Sequence, residues 1–204
     1  MQYSLLPVPE TEVLVNDDSG KIVYRRSLFT HEQAQAWFEQ LREHVDWHSQ
    51  RRPMYDRVVD VPRLMASYAL DGTGVPQPIH VMRPDVERFC GVVFTSAGLN
   101  LYRDGNDSVA PHGDHVERGP KGAPVALVSL GAERRMTIRT RAKPRRVLDR
   151  DLETGSLLVM DYASHLHWEH GIPKTKEHVG QRISVAFRIT FPQDERAEQS
   201  KASH

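Results

Sequence analysis

The sequence predicts a mainly β protein, a β-sandwich or jelly roll with supporting helices against one face. Two segments of helical apolar spacing lie in the first half of the chain. From Asn100 onward the pattern changes to short runs of apolar and β-branched residues, punctuated by Gly, Pro and charged turns. Helices first and strands afterwards is an order that argues against alternating βαβ units. At 204 residues, 39% hydrophobic and 26% charged, the chain has the size and composition of one globular domain with its own core.

Taken in order, Lys21–Arg25 reads as a short strand. Thr30 and Gln33 form a capping-box pair, in which each side chain serves the other residue's backbone N–H. They open a helix expected over Thr30–Trp47, with Trp37, Phe38, Leu41 and Val45 as its buried stripe. Ser49–Pro62 is polar and Arg-rich; Arg63–Tyr68 then alternates like a strand and breaks at Asp71-Gly72-Thr73-Gly74. A second helix is expected over Pro84–Ala97, with Pro84 in its first turn and Val86, Phe89, Cys90, Val93 and Phe94 buried. Strands are expected at Asn100–Tyr102, Val125–Leu130, Met136–Thr140, Ser156–Met160 and Arg182–Thr190. Residues 194–204 are a polar tail, which places a single domain at 1–193.

Several function classes recede on composition. The 27 basic and 27 acidic residues give no overall attraction to polyanions. No apolar run approaches membrane-span length and the first residues lack a secretory pattern, so a cytoplasmic location without membrane partners is expected. Cys90, the single cysteine, forms no internal disulfide and reads as a structural thiol. No obligate protein partner is inferred.

His112-Gly113-Asp114 puts an imidazole and a carboxylate on the same side of an extended segment. A second histidine from a distant strand, His170, would complete a two-histidine, one-carboxylate set, the facial arrangement of non-haem iron(II) oxygenases that leaves positions open for substrate and oxygen. The chain holds 11 histidines, so the pair alone is weak, and His165, His167 and His178 compete with His170. Arg182-Ile183-Ser184-Val185-Ala186-Phe187-Arg188 alternates polar and apolar side chains. An inward arginine there needs a carboxylate partner, which a dicarboxylate co-substrate would supply bidentately.

Asn100-Leu101-Tyr102-Arg103-Asp104-Gly105, His112-x-Asp114, Ser129-Leu130-Gly131, Gly155–Met160, His167-Trp168-Glu169-His170 and Arg182…Arg188 follow one another between about Pro62 and Phe191. As an ordered set they resemble the AlkB family of 2-oxoglutarate dioxygenases, which oxidatively dealkylate nucleic acids. The resemblance implies a double-stranded β-helix, with residues up to about 80 as a substrate-side extension. It implies iron(II) held by His112, Asp114 and His170, with 2-oxoglutarate and O2 as co-substrates. Arg182 would pair with the distal carboxylate of 2-oxoglutarate, and Asn100, Tyr102, Ser184 and Arg188 would line its site. The implied reaction is demethylation of bases such as 1-methyladenine or 3-methylcytosine, with release of succinate, carbon dioxide and formaldehyde. Three positions depart from the family pattern. Ser184 stands where asparagine is usual, Ala69–Gly74 replaces an aromatic Y-x-Y/F-S-G stretch, and Val116 replaces an acid, with Glu117 next to it.

Between Arg134 and Arg150 lie eight basic residues, Arg134, Arg135, Arg139, Arg141, Lys143, Arg145, Arg146 and Arg150, against one acid, Asp149. Arg135, Arg139 and Arg141 would share one strand face, a basic stripe suited to phosphates. Tyr55, Tyr68 and Trp168 are candidates to hold an extruded base. Two rival readings are an oxygenase acting on a protein or small molecule, and a non-catalytic metal-binding jelly roll.

Overall fold

The computed structural model describes residues 10–54 and 57–191; Tyr55 lies outside them. Twelve strands and three helices run in the order β1 (Thr11–Asp17), β2 (Gly20–Arg25), α1 (His31–His44), β3 (His48–Met54), β4 (Arg57–Ala69), α2 (Gln77–Cys90), β5 (Ser96–Tyr102), β6 (Val109–His112), β7 (Val125–Gly131), β8 (Arg134–Thr140), β9 (Val147–Leu152), β10 (Leu157–Met160), α3 (Tyr162–His167), β11 (Trp168–Ile172) and β12 (Arg182–Arg188). They form an eight-stranded sheet, β1-β2-β10-β7-β12-β5-β4-β3, and a four-stranded sheet, β6-β11-β8-β9. The expected mainly β architecture with supporting helices is what forms.

The large sheet separates two cores, and the alternation of β12 shows how. Ile183, Val185 and Phe187 point to the helix side, where they join Trp37, Phe38 and Leu41 of α1, Ile79, Met82 and Val86 of α2, and Leu99, Val128 and Leu130 of the sheet. Ile22, Tyr24, Tyr102, Leu158 and Met160 face the other way and meet Met136, Ile138, Trp168 and Ile172 of the small sheet. Arg182, Ser184 and Arg188 take the alternate positions of β12. Their sequence pattern therefore delivers polar groups to the space between the sheets.

The first helix forms as expected at its start. Gln33 N donates to Thr30 Oγ1 at 3.2 Å and Thr30 N to Gln33 Oε1 at 3.0 Å. It ends at His44 with Val45 as C-cap, so Trp47 lies beyond it. The second helix differs: it runs Gln77–Cys90 and not Pro84–Ala97, stopping at Gly91, whose φ of 70° is the left-handed C-cap conformation. Its buried stripe is Pro78, Ile79, Met82 and Val86, and Pro84 sits inside it. Val93 is 66% exposed, and Phe94 is buried from the turn that precedes β5, tilted against Phe187. Of the expected stripe only Val86 is buried within the helix, Phe89 being 37% exposed and Cys90 half-buried; the buried face lies nearer the N-terminus, because glycine ends the helix where the apolar residues continue. The strict order of helices before strands also fails, since β1–β4 precede α2.

Candidate active site

His112 ends β6 and lies opposite His170 on β11 in the strand register, with ring centroids 4.7 Å apart. His112 Nδ1 is 3.0 Å from the Ala110 carbonyl. With Nδ1–H donating to that carbonyl, the Nε2 lone pair is free for a metal. Asp114 follows two residues later, just past the strand, with its side chain 8% exposed. Its Oδ1 accepts from Arg188 Nη2 at 2.5 Å and Nε at 3.1 Å. Its Oδ2 faces His170 Nε2 at 3.5 Å and His165 Nδ1 at 3.7 Å.

His165 belongs to α3, and its appearance here is the residue-level surprise. One ligand atom each from Asp114, His165 and His170 lie within 4.8 Å of one another. The sequence offered His165 only as a rival for the place of His170, whereas both converge on Asp114. The other rivals, His167 and His178, are exposed. What brings His165 inward is local: Asp161 caps α3 through Ser164 N at 2.7 Å, and α3 seats on Gly20, where a Cβ would come within 2.4 Å of Ser164 N. A cap signal, Asp161 followed three residues later by Ser164, was available in the sequence.

Burial alone would raise the Asp114 carboxyl, but Arg188, His170 and His165 reverse this and hold it well below the usual carboxylate range. Burial pushes His170 down to about 3, and His165 shifts the same way for the same reason. Near neutral pH Asp114 is thus a carboxylate and His165 and His170 are neutral imidazoles, the protonation a divalent metal requires.

Across the inter-sheet space Arg182 is 0% exposed. Its Nη2 donates to Ser129 Oγ at 2.9 Å, while Nε and Nη1 are buried without a hydrogen-bond partner. Its guanidinium lies over the Tyr102 ring at 5.2 Å, and Arg134 approaches the same ring at 5.7 Å. No acid pairs with Arg182 among the described residues. A buried cation with two unused donors calls for an anion, and a carboxylate of a dicarboxylic acid fits that demand. Ser184 and Asn100 are register partners beside it, with Asn100 Nδ2 3.5 Å from Ser184 Oγ and Asn100 Oδ1 accepting from Arg63 Nε at 2.7 Å. Arg188, expected to line the co-substrate site, is committed to Asp114.

The substrate candidates are scattered. Trp168 is fully buried in the inter-sheet core, its Nε1 donating to Ser19 Oγ at 2.9 Å, so it presents no face to a base. Glu117 is exposed in the turn Val116–Arg118 and pairs with His115. Tyr68 helps line a hollow of about 470 Å³ with Asp46, His48, Ser49, Met65 and Ser67. Met65 lies opposite Asn100 in the β4–β5 register. Arg135 and Arg139 share one face of β8, with Met136 and Ile138 buried on the other, and Arg141 follows just past the strand, but each is tied to an acid. Arg135 pairs with Asp151, and Arg139 and Arg141 with Glu169; Arg146 pairs with Asp17 and Arg150 with Glu12. The expected basic stripe is therefore largely neutralised by its neighbours, leaving Lys143 and Arg145 exposed and unpaired among the described residues.

The sequence profile of the 2OG-Fe(II) oxygenase superfamily matches residues 21–188. The chain is 30% identical over 183 residues to the DNA oxidative demethylase ALKBH2 of Homo sapiens, covering 79% of this chain and 70% of that protein. It is 28% identical over 173 residues to the alpha-ketoglutarate-dependent dioxygenase alkB homolog 3 of Homo sapiens, covering 76% of this chain and 60% of the relative. The solved structure of OsALKBH1 is similar in fold, with a TM-score of 0.64 at 15% identity, covering 87% of this chain and all of that one.

Proposed function

This chain belongs to the 2OG-Fe(II) oxygenase superfamily, and from that premise we propose that it oxidatively demethylates N-alkylated bases of DNA or RNA, such as 1-methyladenine or 3-methylcytosine, with release of formaldehyde. The observation that carries the reading is the pairing of two features across one inter-sheet space. On one side His112 and His170 lie opposite each other in register and Asp114 Oδ2 faces His170 Nε2 at 3.5 Å, with His112 outside the tight group of ligand atoms that Asp114, His165 and His170 form; on the other is a buried arginine with two nitrogens lacking hydrogen-bond partners. One relative is named a DNA oxidative demethylase, which supports this substrate class.

In this reading His112, Asp114 and His170 hold iron(II), and Arg182 receives the distal carboxylate of 2-oxoglutarate. Bound together, the metal and co-substrate supply oxygen activation, coupled to decarboxylation of 2-oxoglutarate to succinate. The chain's own groups set up that chemistry. Arg188 fixes Asp114 through Oδ1, which leaves Oδ2 aimed at His170. Ser129 orients the Arg182 guanidinium, and Tyr102 covers it. Asn100 and Ser184 offer polar groups along the co-substrate's length, Ser184 with a shorter reach than the asparagine it replaces. The hydroxymethyl product of N-methyl oxidation loses formaldehyde without needing a further protein group.

For the substrate, the hollow beside Tyr68 and His48 is the place offered to a base, and within the basic run 134–150 Lys143 and Arg145 are the exposed cations left for phosphates among the described residues. Residues 1–193 would act as one unit in the cytoplasm, with β3 and β4 on the substrate side. No helix among the described residues is long and apolar enough to cross a membrane. Neutralisation of the Arg135–Arg141 stripe favours one rival reading, oxidation of a protein side chain or small molecule. Mass spectrometry of a panel of methylated oligonucleotides, with formaldehyde as the product marker, separates the two. Demethylation of at least one N-methyl base is expected. Steady succinate release with every oligonucleotide unchanged would move the substrate to the rival class.

A further inference from the structure

We infer that Arg134 is a positioning residue of the metal centre, clamping β6 in register against β11 and so holding His112 opposite His170. The inference rests on the metal set proposed above and adds a residue to which that reading gives no part.

Of the three proposed ligands, His112 is the one that packing holds least. His170 is buried and faces the Asp114 carboxylate, itself 8% exposed, whereas His112 is exposed and lies outside the group of ligand atoms within 4.8 Å of one another. Its Nδ1 contacts the Ala110 carbonyl of its own strand. Its position therefore follows the backbone of β6, and β6 by itself specifies register weakly. The strand is four residues long, lies at a sheet edge, has no buried residue and carries Pro111, which brings no N–H to the ladder. Against β11 it also changes step: His112 pairs with His170 and Val109 with Ile172, so Ala110 and Pro111 stand opposite Gly171 alone. A slip of one residue would carry the His112 imidazole to the other face of the sheet.

Arg134 supplies the missing constraint. It starts β8 on the buried face that holds Met136 and Ile138, is 3% exposed, and reaches past the end of β11. A single atom, Nη2, donates to the Asp107 carbonyl at 3.0 Å and to the Pro173 carbonyl at 2.8 Å, while Nη1 donates to the Asp104 carbonyl at 2.9 Å. Asp107 lies two residues before Val109 and Pro173 one residue after Ile172, so the shared nitrogen ties the two chains together just beyond their last register pair. Asp107 is itself fixed, its buried carboxylate accepting from Arg103 N and Nε at 2.8 Å and from Nη2 at 2.9 Å. The same segments also meet where Thr175 N donates to the Gly105 carbonyl at 2.9 Å. Hydrogen bonds from a charged donor are the strong ones, and these act on backbone, which is what sets register.

Two variants and a control test the clamp, each verified as folded by circular dichroism and a thermal melt. Arg134→Met keeps the stem and removes every donor; Arg134→Lys keeps the charge but not the planar fork. Met82→Ala opens the helix-side core, away from the clamp. In metal-free protein, hydrogen exchange at residues 107–112 should speed at least about tenfold in Arg134→Met, the loss of one charge-assisted bond, less in Arg134→Lys, and in both by more than in β12. In a Co(II) titration both Arg134 variants should bind about 10–100-fold more weakly, as partners of metal ligands do, with the visible spectrum of the saturated ion unchanged because the ligands are the same. Met82→Ala should melt lower yet bind Co(II) as the wild type does. If Arg134→Met does not fold, Arg134→Lys carries the same readings. Wild-type Co(II) affinity in the Arg134 variants would overturn the inference. Equal weakening in Met82→Ala, or equal speeding of exchange in β6 and β12, would reduce the effect to general stability and overturn it too. A raised half-saturating 2-oxoglutarate concentration with Co(II) affinity unchanged would assign Arg134 to the Tyr102 ring 5.7 Å away, and not to β6. Wild-type protein that binds no Co(II), or binding untouched in His112→Ala, would instead remove the proposed metal set, a failure kept distinct because the exchange measurement needs no metal.

Discussion

Arg182 concentrates the physical argument for co-substrate recognition in one side chain. It is a fully buried guanidinium with one hydrogen bond to Ser129 and two donors unspent. Lysine retains the charge but loses the planar fork. Arg182→Lys should therefore cost one charge-assisted hydrogen bond, about 1.5–3 kcal/mol, equivalent to a roughly 10–150-fold rise in the 2-oxoglutarate concentration that half-saturates succinate release. An unchanged concentration would mean that the dicarboxylate is anchored elsewhere. His170 makes a second prediction. Its folded-state value of about 3 lies below the ordinary imidazole value of 6.5, so the unfolded chain binds the proton more readily in that interval. In metal-free protein this stabilising difference is complete above about 6.5 and shrinks as pH falls toward 3. The urea midpoint should drop between pH 7 and pH 5, less so in His170→Asn, a window above the range where carboxylates titrate. A midpoint that rises on acidification would contradict the burial argument. That His170 meets Asp114 and that Arg182 turns inward was legible in the sequence, because ligand chemistry demands particular side chains at particular spacings. His165 was legible only as one histidine among several, since its role depends on where a six-residue helix points it.

Among the elements, legibility follows burial. Interior strands β2, β7, β8, β10 and β12 carry enough apolar residues to declare themselves. The strands missing from the sequence reading include β1, β3, β6 and β9, the four edges of the two sheets. Edge strands are kept polar, charged or proline-bearing against unwanted pairing, as in VAPH of β6 and VLDRDL of β9. β11 was expected only as the unbounded strand of His170; it is interior but short, with Gly171 where a Cβ would come within 2.7 Å of the Val109 carbonyl. In α2 the expected stripe shares only Val86 with the buried face of the helix, which yields a stability test. Met82 is 0% exposed in the helix-side core, whereas Val93 is 66% exposed beyond the C-cap. Met82→Ala should cost about 2–5 kcal/mol and Val93→Ser less than about 0.5 kcal/mol, as read from denaturant midpoints. Equal costs would return the helix to residues 84–97.

For the whole molecule, the distribution of charge decides how a nucleic acid could be held. Counted along the chain, residues 134–150 carry a strong positive excess. Across the folded sheet, five of those arginines meet Asp151, Glu169, Asp17 and Glu12, residues that lie outside the counted window. Exposed ion pairs of this kind contribute little to stability, but they lower the number of cations free to displace counterions from phosphates. Single-stranded binding falls with salt at a log–log slope of about −0.7 for each phosphate neutralised. If Lys143 and Arg145 are the free contacts, the slope for a methylated single strand should be about −1.4, and each alanine substitution there should flatten it by about 0.7. Arg139→Ala should leave the slope nearly unchanged, because its charge is already spent on Glu169. A slope steeper than about −4 would require the arginine pairs to open on binding and the whole stripe to turn from its acids to the nucleic acid. Measured over sodium chloride with an oligonucleotide carrying one 3-methylcytosine, the slope thus distinguishes a surface that reads phosphates through two cations from one that rearranges to use all of them.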